Sequence, residues 1–390
     1  MDTVYDNNGD IIEVKSEKRH IGWLWSSILL MLLTACSSSD TTEEPQPGQH
    51  KPTMLTIYVY SPEHPVLTRA DVGPIDPLPD ESKVTLLQIW VYDTNGHNVG
   101  YLRTDETATL NGGEGATFQI PVSDDFAQQK PNVDVYVLAN VKSGNCGITT
   151  SLEETTTRTD LLANAKIATN HFGLAPLRTS VPEEGMPMAG ELKNQPVFGD
   201  APVLRIGNQN NIATVSLTRA ISKLRFVFAN TSGSPKLGIT GISLKAEMIP
   251  NEEYLFPQAQ ALTYNSNVAP LLSTETAIDQ VAEKQNPADY VYNGQEAQAY
   301  EDLINGAGLT QTSTFYLRES DKQLEGTISY QIAGANQPPA AFKMNAAGDF
   351  SRNHSWIVYA YYEGLSGMQV VTVDVTPWVE RNGDHTVYNW

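Results

Sequence analysis

The constraint that dominates this sequence is a hydrophobic period of two. Thr53-Met54-Leu55-Thr56-Ile57-Tyr58-Val59-Tyr60 places Leu55, Ile57 and Val59 on one face and Thr56, Tyr58 and Tyr60 on the other. Successive side chains on a strand point to opposite faces, so β-branched and aromatic residues in this order predict a half-buried strand. Strand patterns return at Lys83 to Tyr92, His97 to Arg103, Thr117 to Val122 and Val133 to Val141. A second set runs from Ala213 to Ile221, Lys223 to Asn230, Gly241 to Ala246, Ser313 to Leu317, Gly326 to Ile332, Ser355 to Tyr362 and Met368 to Thr376. Asp93-Thr94-Asn95-Gly96 reads as a hairpin turn, because Asn-Gly accepts the positive φ such turns need. Thr157 to Ala168 holds the best short helix candidate and Glu296 to Ile304 a weaker one. Met186 to Gly190, and most of Asn251 to Ala307, read as loop. Many short strands, few helices and no strand–helix alternation predict an all-β chain built of sandwiches. The turn-rich stretch from Asp200 to Asn211 is the expected domain boundary.

Ahead of the first strand lies an apolar run from Ile21 to Leu33, closed by Leu33-Thr34-Ala35-Cys36. It is short for a bilayer span, which needs ~20 apolar residues. A membrane-seeking segment that ends in small residues and a cysteine reads as a lipoprotein signal, and it resembles the bacterial lipobox. On that reading residues 1–35 are removed and Cys36 carries the lipid. A polar Ser/Thr/Glu/Pro/Gln/Gly stretch follows and reads as a flexible tether. The alternative is a buried core helix with an incidental cysteine. Asp2, Asp6, Asp10 and Glu13 precede the run, an acidic lead that is expected where a start site is set too far upstream.

The formal net charge of −20 repels phosphate backbones, so no nucleic-acid partner is expected. The chain has two cysteines. With Cys36 lipidated, Cys146 stands alone, and nothing around it would activate a thiol. Asp6 to Asp10 and Asp93 to Gly96 faintly resemble calcium loops but lack the following glutamate, so no metal is expected. Glu183-Glu184 and Glu252-Glu253 read as solvated faces. No nucleophile elbow, phosphate loop or Ser/His/Asp ordering appears; no enzyme activity and no cofactor are expected.

Taken in order, the lipobox, the strand before Arg69-Ala70, Leu217-Thr218-Arg219-Ala220-Ile221-Ser222-Lys223-Leu224, Phe315-Tyr316-Leu317, Arg352-Asn353-His354-Ser355-Trp356-Ile357-Val358 and the aromatic end Val387-Tyr388-Asn389-Trp390 resemble the Bacteroidales fimbrillins. These are the lipoprotein-derived type V pilins of the FimA and Mfa kind. The resemblance spans essentially the whole chain. It implies two transthyretin-like β-sandwich domains in tandem, export to the outer membrane as a lipoprotein, cutting by an arginine-specific protease and assembly into a surface fimbria by strand exchange. The expected division is a signal at 1–35, a tether and propeptide strand at 36–69, sandwiches at 70–211 and 212–367, and a donor tail at 368–390.

Carried onto this chain, the resemblance places the cut at Arg69-Ala70, in a Pro-rich segment of the kind where proteolysis concentrates. Such a cut frees the strand bearing Leu55, Ile57 and Val59. Burying these three side chains contributes roughly 1.5–3 kcal/mol each, against roughly 5–15 kcal/mol for a whole domain. Losing them therefore leaves a groove that favours a replacement strand from a neighbour. The expected donor is the tail, where Val371, Val373 and Val375 repeat the missing pattern and Val387, Tyr388 and Trp390 add an apolar end. The partners expected are other pilin subunits joined head to tail, the outer membrane before processing, the protease, and a host or bacterial surface ligand. Three roles compete. A shaft subunit both donates and accepts a strand, whereas a tip or accessory adhesin only accepts. A surface glycan-binding lipoprotein would instead use aromatics such as Tyr58, Trp90, Trp356, Tyr361 and Tyr362, whose place within strands makes core packing the simpler account.

Overall fold

The computed structural model describes residues 4–5, 11–12, 52–61, 81–104, 110, 114–230, 232, 236–258, 262–264, 266, 268, 270–281, 309–311, 314–362, 364 and 367–374. The backbone forms two units, 1–50 and 51–390. In the first, β1 (Val4–Tyr5) pairs antiparallel with β2 (Ile11–Ile12), Val4 opposite Ile12. Cys36 lies outside the described residues. Among them no helix is long and apolar enough to cross a membrane.

The second unit is almost all sheet. Its first part contains β3 (Thr53–Tyr60), β4 (Leu87–Asp93), β5 (Asn98–Arg103), β6 (Gly115–Val122), α1 (Asp124–Gln129), β7 (Val133–Ala139), α2 (Ser143–Cys146), α3 (Arg158–Asn164), β8 (Lys166–Ile167), β9 (Met188–Gln195), β10 (Val197–Asp200), β11 (Val203–Ile206), β12 (Thr214–Ser216) and β13 (Thr218–Arg219). One sheet has the order β10-β11-β3-β12, with β6 on the other side of β3; the second runs β13-β9-β7-β4-β5. Both line one core. Leu55, Ile57, Val59, Ile120, Leu204 and Val215 come from the first sheet, and Ile89, Val91, Val135, Val137 and Met188 from the second. The Asn-Gly hairpin forms as the residues require: Asp93 N–H donates to His97 O at 2.9 Å and Gly96 sits at φ +86°.

Next come β14 (Ile221–Asn230), β15 (Leu237–Leu244), β16 (Glu253–Tyr254), β17 (Pro270–Leu272), β18 (Leu309–Gln311), β19 (Phe315–Arg318), β20 (Glu325–Ile332), β21 (Ala335–Asn336), β22 (Ala340–Lys343), β23 (Ser355–Tyr362) and β24 (Met368–Asp374). A sheet of order β18-β14-β23-β24, with β19 also on β14, faces one of order β17-β15-β20-β21, with β22 also on β20. Their shared core includes Leu224, Phe226, Phe228, Ile242, Ile328, Phe342, Trp356 and Val358. The long strand β14 serves both cores: Ile221 packs in the first, and Leu224 onward packs in the second.

Several local readings change. Met188 starts β9 and does not sit in a loop, because Met188 and Ala189 pair with Ala139 and Leu138. The turn-rich stretch before Ile212 contains the β10–β11 hairpin, and Val215, Leu217 and Ala220 pack in the first core. The helix expected over Thr157 to Ala168 stops at Asn164, and Lys166–Ile167 turns into a strand paired with β16. Glu253 is fully buried, not solvated: β16 carries it beneath Arg352, 3.4 Å away, and it accepts from Glu319 N–H at 2.8 Å. The weak helix expected over Glu296 to Ile304 lies outside the described residues.

Candidate functional site

The residues expected to leave on processing sit in the middle of a sheet. On one side β3 pairs antiparallel with β6 over its whole length, Thr53 opposite Val122 and Tyr60 opposite Gly115. On the other side its two halves meet two different strands, both parallel to it. Met54, Leu55 and Thr56 align with Val203, Leu204 and Arg205 of β11; Tyr58, Val59 and Tyr60 align with Thr214, Val215 and Ser216 of β12. A single eight-residue segment thus bridges β6 to both β11 and β12. Met54 N–H donates to Pro202 O at 2.8 Å and Leu217 N–H to Tyr60 O at 2.9 Å, closing the ladder at each end.

Leu55, Ile57 and Val59 are 0% exposed. The other face is part-covered by its own cross-strand contacts. The Tyr58 ring lies over Gly115, where a Cβ would meet the phenol oxygen at 2.1 Å, so any larger residue there forces the ring to shift. That position carries a sequence signal in retrospect: a glycine opening a strand marks a close approach.

The strand ends at Ser61, whose hydroxyl donates to Ser82 O at 2.7 Å. Ser61 and Ser82 are thus neighbours in space; the stretch between them, which carries Arg69 and Ala70, lies outside the described residues. Glu81 and Ser82 are fully buried. The first core continues at Val84, which exchanges hydrogen bonds with Leu110.

Toward the other end of the chain, β24 pairs with β23 and is the last strand of that sheet among the described residues, with Val371 opposite Tyr359 and Val373 opposite Ile357. Val371 and Val373 thus belong to this chain's own sheet. Val375, Val387, Tyr388 and Trp390 lie outside the described residues. The structure does not bring the two sets of residues together: β3 belongs to the first core, and β24 extends a sheet of the second.

The remaining candidates are structural. Trp90 and Trp356 are buried, their indole N–H groups donating to Glu153 O and Asp349 O, and Trp90 packs on Tyr101. Cys146 is buried, and desolvation pushes its thiol well above the ordinary range, away from a reactive thiolate. Among the described residues no group of three or more His, Cys, Asp or Glu side chains could hold a metal ion.

The described residues form packed sheets with one strand inserted between others, the architecture of an all-β protein. Residues 66–384 match the model of the fimbrillin-A associated anchor proteins Mfa1 and Mfa2, and the chain belongs to this family. It is a fimbria-associated protein, and membership places it with the cell-surface fimbria and its protein partners. No curated protein matches. Similar solved structures include a fimbrial assembly protein from Parabacteroides distasonis, at 14% identity over 83% of this chain and 96% of that one, with a TM-score of 0.43. The tip fimbrial protein Mfa3 from Porphyromonas gingivalis, with a C-terminal truncation, is 12% identical over 83% and 99%, with a TM-score of 0.45. The fimbrial anchor protein Mfa2 from the same organism is 10% identical over 83% and 97%, with a TM-score of 0.36.

Proposed function

We propose that this chain is a structural fimbrial subunit, exported as an outer-membrane lipoprotein on Cys36 and joined to its neighbours by strand exchange at the place of β3. The observation that carries this reading is the position of β3 between β6 and the β11/β12 pair. Once Arg69-Ala70 is cut, no covalent link holds β3 to the rest of the fold. Its departure strips Leu55, Ile57 and Val59 from the core, at a cost of roughly 5–9 kcal/mol in lost burial, and opens unpaired edges on three strands. A strand from an adjacent subunit restores both. On the donor side, β24 is already used within its own sheet, so donation falls to the residues beyond Asp374, which include Val375, Val387, Tyr388 and Trp390. Two transthyretin-like lobes, meeting within β14, are the corresponding domain division. Adhesion to a host or bacterial surface ligand is the expected outcome of display on a fimbria.

The test is direct. Protein trimmed at Arg69 should bind a synthetic peptide of the β3 sequence, residues 52–61, and should lose that binding when the peptide carries aspartate in place of Leu55, Ile57 and Val59. Trimmed protein that ignores both peptides sinks the exchange reading.

A second reading is favoured by the family's own description. A subunit that anchors the fimbria must keep Cys36, so it must remain uncut and retain β3. The two readings exclude each other in one molecule, because cutting at Arg69 separates the lipid from everything after it.

A further inference from the structure

β14 and β19 each turn one face to the second core and the other toward the first. On the latter face sits a group of polar side chains with almost no contact with solvent. Glu81 and Arg219 are 0% exposed, Lys223 and Tyr316 1%, and Arg225 5%. Lys223 Nζ lies 2.9 Å from Glu81 Oε1 and 3.2 Å from Oε2. The Tyr316 hydroxyl donates to the same Oε1. Arg219 fixes the backbone beside it: Nε donates to Glu81 O at 2.9 Å, Nη2 to the Ser82 hydroxyl, and Nη1 to Asn353 Oδ1 at 3.0 Å. The amine and the carboxyl group are thus held against each other from several sides, in a place that water does not reach.

We propose that Glu81 and Lys223 are the two halves of an intramolecular isopeptide bond. The ammonium proton passes to the carboxylate, which leaves a neutral amine facing a neutral acid. The Nζ lone pair then forms a C–N bond to Cδ, and the carbonyl electron pair moves onto Oε1, where the Tyr316 hydroxyl stabilises it. The tetrahedral centre collapses, the bond to Oε2 breaks, and Oε2 leaves with a proton from Nζ as one molecule of water. Atoms and charge balance without any oxidant, reductant or cofactor.

Three properties of the site favour this step. With both oxygens in hydrogen-bond range of Nζ, Cδ lies at roughly 3–3.5 Å, the separation of a near-attack arrangement, where fixed reactants gain an effective concentration of order 10⁵–10⁸ M. Burial, with Arg225 adding a like charge, pushes the Lys223 amine down from the ordinary lysine range, which favours its nucleophilic form. Arg219, Arg225 and the Tyr316 hydroxyl pull the other way by favouring the carboxylate; Tyr316 aids the step later, when its hydroxyl meets the oxyanion that develops on Oε1. A finished amide also removes two buried charges, each of which is costly to keep out of water.

The bond would join residues 142 positions apart. It ties Glu81, the first described residue after the stretch bearing Arg69-Ala70, to a strand that serves both cores. A cut at Arg69 would then release the chain before it and leave the chain after it covalently fixed. The inference does not depend on whether that cut occurs.

Peptide mapping of the folded full chain by mass spectrometry tests it. The expected result is a branched peptide joining the Glu81 segment to the Lys223 segment, one water lighter than their sum, and absent from Lys223→Met protein. Tyr316→Phe should slow its appearance by ~100-fold or more, as loss of one donor to a developing oxyanion does. Separate, full-mass Glu81 and Lys223 peptides from folded wild-type chain overturn the proposal. So does a missing water that persists in Lys223→Met, since it then arises elsewhere.

Discussion

Val59 and Val215 lie opposite each other on parallel strands, both fully buried, and between them they mark how the first core is closed. Val215 arrives from a part of the chain that follows a hairpin and a turn; Val59 arrives from β3, about 150 residues earlier in the chain. The core is complete only when both are present, which makes β3 a structural strand as well as a candidate for exchange.

Truncating this strand should therefore weaken the uncut protein strongly. Ile57→Ala is expected to cost about 2–5 kcal/mol, the range for a large aliphatic side chain removed from a packed core. Urea unfolding of the uncut chain measures it. A change below about 0.5 kcal/mol would mean that β3 adds little to the first core.

Gly115 offers a sharper test of the geometry around β3. Gly115→Ala places a methyl carbon 2.1 Å from the phenol oxygen of Tyr58, and overpacking of this kind costs roughly 1–3 kcal/mol. Tyr58→Ala should relieve the conflict. The double variant is expected to be more stable than the sum of the two single changes predicts, with a coupling of about 0.5–3 kcal/mol. Additive effects would place Tyr58 away from Gly115.

Glu253 gives the stability a definite pH dependence. Burial, reinforced by Glu319, raises its carboxyl from 4.5 to about 8, against the opposing pull of Arg352. The folded state holds the proton over a range where the unfolded chain has lost it. Its contribution is therefore full below about pH 4.5 and is lost progressively as pH rises toward 8. Glu253→Gln should flatten that fall, so that variant and wild type differ more at pH 8 than at pH 5. Chemical denaturation across this interval checks it, and parallel curves would contradict it.

Cys36→Ala tests the membrane attachment. The variant should take up no radiolabelled palmitate and should leave the outer-membrane fraction. Label retained on the variant would place the lipid on another residue.

The strands were legible where one face is buried and the other is not. Leu55, Ile57 and Val59 alternate with polar or aromatic neighbours, and the Asn95-Gly96 turn announced its hairpin. The β10–β11 hairpin was hidden because its strands are short, four residues each, and Pro202, Gly199 and Gly207 punctuate them as they would a linker. The pairing of β11 and β12 with β3 could not be read at all, since parallel partners about 150 residues away leave no local trace. Likewise Glu81, Lys223 and Tyr316 look like ordinary surface and strand residues in sequence. Only the fold reveals that each points into the same dry space. Glu253 was misread for a related reason: paired acids suggest solvent until a strand turns one of them inward.

The account rests on exchange at β3, and the N-terminus of the subunit in isolated fimbriae tests it most directly. Edman sequencing should read Ala70-Asp71-Val72, with residues 36–69 absent. Subunits in the fimbria that still begin at lipidated Cys36 would contradict the exchange and leave this chain as an uncut anchor.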